Sequence, residues 1–177
     1  MGLVQQWPLV IFKASQLMRR KFLTRVALLV MLRPATLLTQ VEGPWMGTWK
    51  LNLSKSSYSP GPRPEPGTVT IFRMMPDKDG FRYTVDTTAA NGLATHAEAF
   101  ARFDGKDYPE TGNPAADTNR FRRIDDHTYE LTDRKNGKDT LSFRVTISPD
   151  GRTRTSVAIG KTASGQEVHN VGVWERQ

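Results

Sequence analysis

A chain of 177 residues, 37% of them hydrophobic, can build one domain with a modest core plus an appendage, and the lack of cysteine excludes disulfides, cysteine-ligated zinc, thiol nucleophiles and a lipidated N-terminal cysteine. The net charge of +7 is unevenly placed: six of the 25 basic residues (Lys13, Arg19, Arg20, Lys21, Arg25, Arg33) but only one of the 18 acids, Glu42, precede Gly43, leaving the rest of the chain at +2. That near-balance removes the polyanion-binding signature of the whole-chain charge, and no nucleic-acid partner is expected.

The first segment, residues 1–43, reads as a helical leader. From Met18, a second candidate start, "MRRKFLTRVALLVMLRPATLLTQ" has a cationic cluster, a seven-residue apolar run at 26–32 and a break at Arg33-Pro34. A bilayer core needs about 20 apolar residues, so this run fits a signal-peptide core rather than a membrane span, and no stable transmembrane span is expected in the mature form. Arg19-Arg20 followed by Lys21, Phe22 and Leu23 resembles the twin-arginine export signal, which implies a periplasmic or secreted protein. No A-x-A cleavage site precedes Gly43, and an amphipathic surface helix or uncleaved anchor over residues 17–32 is the alternative.

Residues 44–177 form the expected folded domain. Turn dipeptides recur at Asp79-Gly80, Asn91-Gly92, Asp104-Gly105, Asn136-Gly137, Asp150-Gly151 and Ser164-Gly165, each able to join antiparallel strands because glycine accepts positive φ. Between them, strands are expected at 47–53, 68–74, 81–86, 93–103, 118–124, 128–134, 139–148, 152–159 and 167–175. Alternation is clearest in "DTLSFRVTIS", where Leu141, Phe143, Val145 and Ile147 share one face. Two long connections interrupt the series. "SKSSYSPGPRPEPG" is proline-rich and should run extended over an edge or a barrel mouth; residues 105–117, with Tyr108-Pro109 and Asn113-Pro114, are read as a loop that cannot be a central strand. The expected fold is all-β: an antiparallel up-and-down barrel of about 8–9 strands, closed because an open sheet would expose two edges. A two-layer sandwich would need long crossing connections.

Gly47-x-Trp49 at the start of the first strand resembles the lipocalins and wider calycin barrels, in which this Trp packs across the closed end against a basic side chain near the end of the last strand. The matching residues are Trp49 and Arg176, paired as a cation–π contact. "GTWKLNLSKSSYSPGP", "FDGKDYPETGNPAADT" and "NVGVWERQ" resemble uncharacterised exported bacterial proteins with a lipocalin-like body. That resemblance implies a fold and an export route and carries no catalytic residues.

No nucleophile elbow, phosphate loop, dinucleotide fingerprint or His-Glu-x-x-His occurs, and neither a cofactor nor a metal is expected. His96-x-Glu98 places both side chains on one strand face, and His169 on the last strand could join them in an acid-base or metal site. Arg120, Arg122 and Arg123 around Phe121 read as a solvated basic strand face. Aromatic residues fall on nearly every expected strand, as a packed core or an apolar cavity requires. The leading expectation is a barrel that binds a small apolar or amphipathic ligand without catalysis, using Tyr83, His96, Glu98, Phe100 and Phe143. An interaction module with a filled barrel and an enzyme using His96, Glu98 and His169 stand as alternatives.

Overall fold

The computed structural model describes residues 42–61, 63–161 and 165–177, so the leader reading, like the Ser164-Gly165 turn, lies wholly or partly outside the described residues. Eleven strands follow one another: β1 (Gly47–Leu51), β2 (Ser57–Ser59), β3 (Val69–Asp77), β4 (Gly80–Thr88), β5 (Ala94–Ala101), β6 (Asp104–Thr111), β7 (Thr118–Arg123), β8 (Thr128–Lys135), β9 (Lys138–Ile147), β10 (Thr153–Lys161) and β11 (Glu167–Arg176). From β3 to β11 each strand pairs antiparallel with the next, and β1 pairs with both β3 and β11, so ten strands close an up-and-down barrel. The closing register sets Trp49 against Arg176, Lys50 against Glu175 and Leu51 against Trp174. A sandwich is ruled out by this ring.

β2 is the continuation of β1 along the same neighbour. Asn52 ends β1 by accepting the Lys55 backbone N–H at 3.2 Å and donating to Glu175 Oε1 at 2.9 Å, which turns the chain through one 3-10 turn, Leu53–Lys55. The chain then returns to β11, pairing Ser57 with Val171 and Ser59 with His169, and stops where Pro60 begins the donor-poor stretch.

The ring has one strand more than the sequence pattern provides, and that strand is β6, inside the stretch read as a loop. Pro109 is tolerated there for a local reason. Glu110 N–H bonds the Asp117 carbonyl at 3.0 Å, toward β7, so by alternation the nitrogen of Pro109 faces β5. On that side the ladder has only two pairs, Glu98 with Thr111 and Ala99 with Glu110, and no donor is missed. Asp104-Gly105 is likewise no hairpin turn: it forms a bulge at the start of β6, where the register shifts between Asp104 and Asp107. Tyr108 packs at the resulting seam, its ring 5.9 Å from Phe100, its hydroxyl accepting from Arg102 Nη1 at 3.3 Å and donating to Asp104 Oδ2 at 2.9 Å.

Alternation places Met74, Phe81, Ala101, Phe121, Tyr129, Val145 and Ile147 inside one half of the barrel, all essentially without exposure. Trp45 and Phe103 cover this half from its end, with ring centroids 5.2 Å apart. The closed half is therefore a packed core. The other half is bounded by the turns at 89–93, 112–117 and 136–137.

Gly112 fixes one of those turns. Its φ is +79°, and a Cβ there would lie 1.9 Å from the His96 carbonyl oxygen, whereas Gly105, at +74°, has open space around it. Gly105→Ala is expected to cost about 1 kcal/mol and Gly112→Ala at least about 2 kcal/mol, because the second also forces two backbone segments apart. Urea unfolding of the pair checks this; equal costs would mean that the close approach is unimportant.

Candidate functional site

The half of the barrel away from Trp45 holds an interior cavity of ≈ 200 Å³. Its apolar walls come from β3, β4, β8, β9 and β11: Phe72, Val85, Leu131, Phe143 and Trp174. Its polar lining is Tyr83, Glu110, Asn113, Asp133, Arg154 and Ser156. The cavity is smaller than the ~300–1,000 Å³ of drug-sized sites, which limits an occupant to a small molecule.

Arg154 divides packed core from cavity. It is 4% exposed, with its guanidinium carbon 4.4 Å from the Phe72 ring centroid and 5.0 Å from that of Trp174. Nε and Nη2 donate to the Tyr129 hydroxyl on the core side, at 3.4 and 3.1 Å, and Nη1 is buried with no hydrogen-bond partner among the described residues. Two aromatic contacts thus stand in for a counter-ion, an arrangement that is worth about 2 kcal/mol or more when desolvated. Trp174 is fixed in turn by donating Nε1–H to Ser156 Oγ at 3.1 Å.

The opposite lining is acidic. Glu110 and Asp133 are 8% and 7% exposed, and neither forms an ion pair with any described residue. Asn113 Nδ2 donates to Glu110 Oε2 at 3.2 Å, and Tyr83, beside Glu110, accepts from Asn119 Nδ2 at 2.8 Å. Burial raises the Glu110 carboxyl, partly offset by hydrogen bonds from Tyr83, Asn113 and Asn119. Burial, then the charge of Glu110, pushes Asp133 up to about 7. Burial and the neighbouring acids Glu110 and Asp133 likewise raise the Tyr83 phenol. Near neutral pH the cavity therefore holds one clamped cation and two acids, one of them half protonated.

Of the residues expected from sequence, Tyr83 and Phe143 line this cavity. His96 borders a second hollow of ≈ 250 Å³ at the β5–β6 seam, which shares Val85, Glu110 and Asn113 with the first. Its ring turns outward, 2.6 Å from Asp86 Oδ1. His96 and Arg73 hold the Asp86 carboxyl below the usual range, the hydrogen bond from His96 contributing most. Glu98 lies outside the barrel, 3.6 Å from Arg82 Nη1, and Phe100 packs outside on Tyr108. His169, on β11, sits across the ring from β5, so His96, Glu98 and His169 do not converge. Among the described residues no group of three His, Asp or Glu side chains could hold a metal ion.

Trp49 has no exposed surface, and the Arg176 guanidinium carbon lies 4.2 Å from its ring centroid. Arg176 also donates Nη1–H to the Met46 carbonyl at 2.7 Å, Nη2–H to that of Pro44 and Nε–H to that of Gly151 at 2.6 Å. It thereby ties the segment before β1 and the β9–β10 turn to the last strand.

Sequence reasoning missed Phe72, Glu110, Asp133, Arg154, Ser156 and Trp174 as cavity residues. Asp133 carried a readable signal, because it shares a face with Tyr129 and Leu131. Arg154 carried a misleading one: Val157 and Ile159 are the large apolar members of β10, yet they face outward beside a groove of ≈ 440 Å³ along β8–β10. The titratable groups of that groove, Glu130 and Arg144, are satisfied by each other at 3.2 Å. Arg120, Arg122 and Arg123 pair with Asp107, Glu130 and Asp126. Among the described residues no helix is long and apolar enough to cross a membrane. Comparison with known proteins finds no protein-family model and no curated protein that matches the chain.

Proposed function

We propose that this is an exported, lipocalin-like barrel that binds one small apolar or amphipathic molecule in its interior without catalysing a reaction on it. The observation that carries the reading is the cavity beyond Arg154: five apolar side chains form its walls, and a few polar groups are gathered on its lining. This is the composition of a binding site, in which apolar area supplies affinity and placed polar groups set orientation. A ten-stranded ring also has a wider interior than an eight-stranded one, which side chains just fill.

An environment-sensitive apolar dye is expected to bind saturably with one site per chain. Val85→Phe, which places a ring in the void, should weaken that binding by at least tenfold while the far-UV circular dichroism stays unchanged. Dye binding that does not saturate, or that Val85→Phe leaves intact, would place the affinity on the outer surface and favour a filled-barrel interaction module.

A further inference from the structure

This inference rests on the cavity being a binding site and names the chemistry of its occupant. Asp133 is only 7% exposed and lines the cavity, and its carboxyl makes no hydrogen bond or ion pair with any described residue. Its oxygens are not among the sealed, unpartnered polar atoms, so they retain surface toward the void. A buried acid with nothing to meet it is costly to keep. Glu110, the nearest acid, has one oxygen bound to Asn113, and the only cation on the lining is Arg154.

Arg154 is not available to a ligand. Arg154 is 4% exposed, Phe72 and Trp174 lie against its guanidinium, two of its nitrogens are directed at Tyr129, and Nη1 is sealed from the cavity. The charged groups open to the cavity are therefore the carboxylates of Glu110 and Asp133. An incoming anion would meet Glu110 and Asp133 before any positive charge. An inorganic divalent cation prefers six or more oxygen ligands, and the cavity offers two carboxylates between aromatic and aliphatic walls.

We propose that the cavity recognises a small organic ammonium, a primary or secondary amine on a compact apolar body, with Asp133 and Glu110 as its ion-pairing groups and Leu131, Phe143 and Trp174 as the walls around its body. A primary ammonium has three donors; the two Asp133 oxygens have no hydrogen-bond partner among the described residues, and Glu110, already bonded by Asn113, adds a second negative charge beside them. The volume of ≈ 200 Å³ equals that of about seven waters at ~30 Å³ each, which suits a single-ring amine and not a lipid.

Titration calorimetry of the folded full chain at pH 8 with three probes of one shape tests this: 2-phenylethylamine, 2-phenylethanol and 3-phenylpropionate. The amine is expected to bind at least tenfold more tightly than the alcohol and at least a hundredfold more tightly than the carboxylate. Asp133→Asn should bring the amine down to the affinity of the alcohol and leave the alcohol unchanged; Glu110→Gln should weaken the amine by a smaller factor. Because the ionised Asp133 is the binding form, amine affinity should be level above pH 7 and fall about tenfold per unit below it. The charged and titratable groups of the surrounding strands that enter this titration are Glu110 on β6, Tyr83 on β4 and Arg154 on β10. Dye or alcohol binding with no preference for the amine, an amine preference that survives Asp133→Asn, or Ca²⁺ binding in place of the amine would each overturn the inference and leave the cavity as a site. Failure of all three probes and of the dye would remove the binding reading itself.

Discussion

Replacing Asp133 by Asn is expected to raise the unfolding free energy by about 4 kcal/mol at pH 8 and by less than about 1 kcal/mol at pH 4. Burial beside Glu110 lifts the folded-state pKa from the ordinary value of 3.8 to about 7. A tenfold change in an ionisation constant corresponds to about 1.4 kcal/mol. Between pH 4 and 7 the folded chain holds a proton on Asp133 that the unfolded chain has released, so stability falls as pH rises through that window and is level above it. Asn at this position has nothing to ionise, so above pH 7 it carries no charge to be repelled by Glu110. Denaturant unfolding of both proteins at pH 4, 6 and 8 gives the difference curve; a constant difference would show that Asp133 meets no uncompensated burial. The native residue thus costs the fold stability at neutral pH, as expected of groups retained for a ligand. The stabilised variant is the one expected to lose preference for an amine, so a single substitution moves stability and recognition in opposite directions.

The fold was legible because its signals were redundant. Leu141, Phe143, Val145 and Ile147 alternate without interruption, Asn136-Gly137 supplies the two positive φ angles of a tight hairpin, 51° and 74°, and Trp49 and Arg176 fall where a closed ring makes them neighbours. β6 was illegible because the rule that keeps proline out of sheets depends on which edge of the strand is bonded, and the two-pair seam with β5 is a tertiary fact. The cavity divides along the same line. Tyr83 and Phe143 could be placed because aromatics in phase with a core face turn inward. His96 and Glu98 share a face, as their spacing requires, but spacing alone does not say which face is inside; Asp86 and Arg82 on β4 hold them outside. Arg154 reverses the ordinary hydrophobic phase of β10. Its burial makes sense only once Phe72, Trp174 and Tyr129 arrive from three other strands.

Trp49→Ala is expected to cost about 3–5 kcal/mol, the range for removing a fully buried large aromatic, with Trp49→Phe costing much less. The indole has no exposed surface, and its Nε1–H bonds the Trp45 carbonyl at 3.0 Å, so truncation leaves a void and an unmatched acceptor together. It also removes the ring beneath Arg176, the side chain that gathers the Pro44, Met46 and Gly151 carbonyls at the closed end. A double-mutant cycle of Trp49→Ala with Arg176→Ala should give a coupling of about 0.5–1 kcal/mol, the size of a partly exposed cation–π contact. Because β1 and β11 meet over only three residue pairs, these contacts bear directly on whether the ring stays closed. The chemistry lies farther along the barrel. Glu110, Asp133 and Phe143 sit on strands that make no pairing with β1, so Trp49→Phe should lower the unfolding midpoint while leaving the ratio of amine to alcohol affinity intact. A ratio that changed with it would mean that the closed end sets the shape of the cavity, and that closure and recognition are one structural property of this barrel.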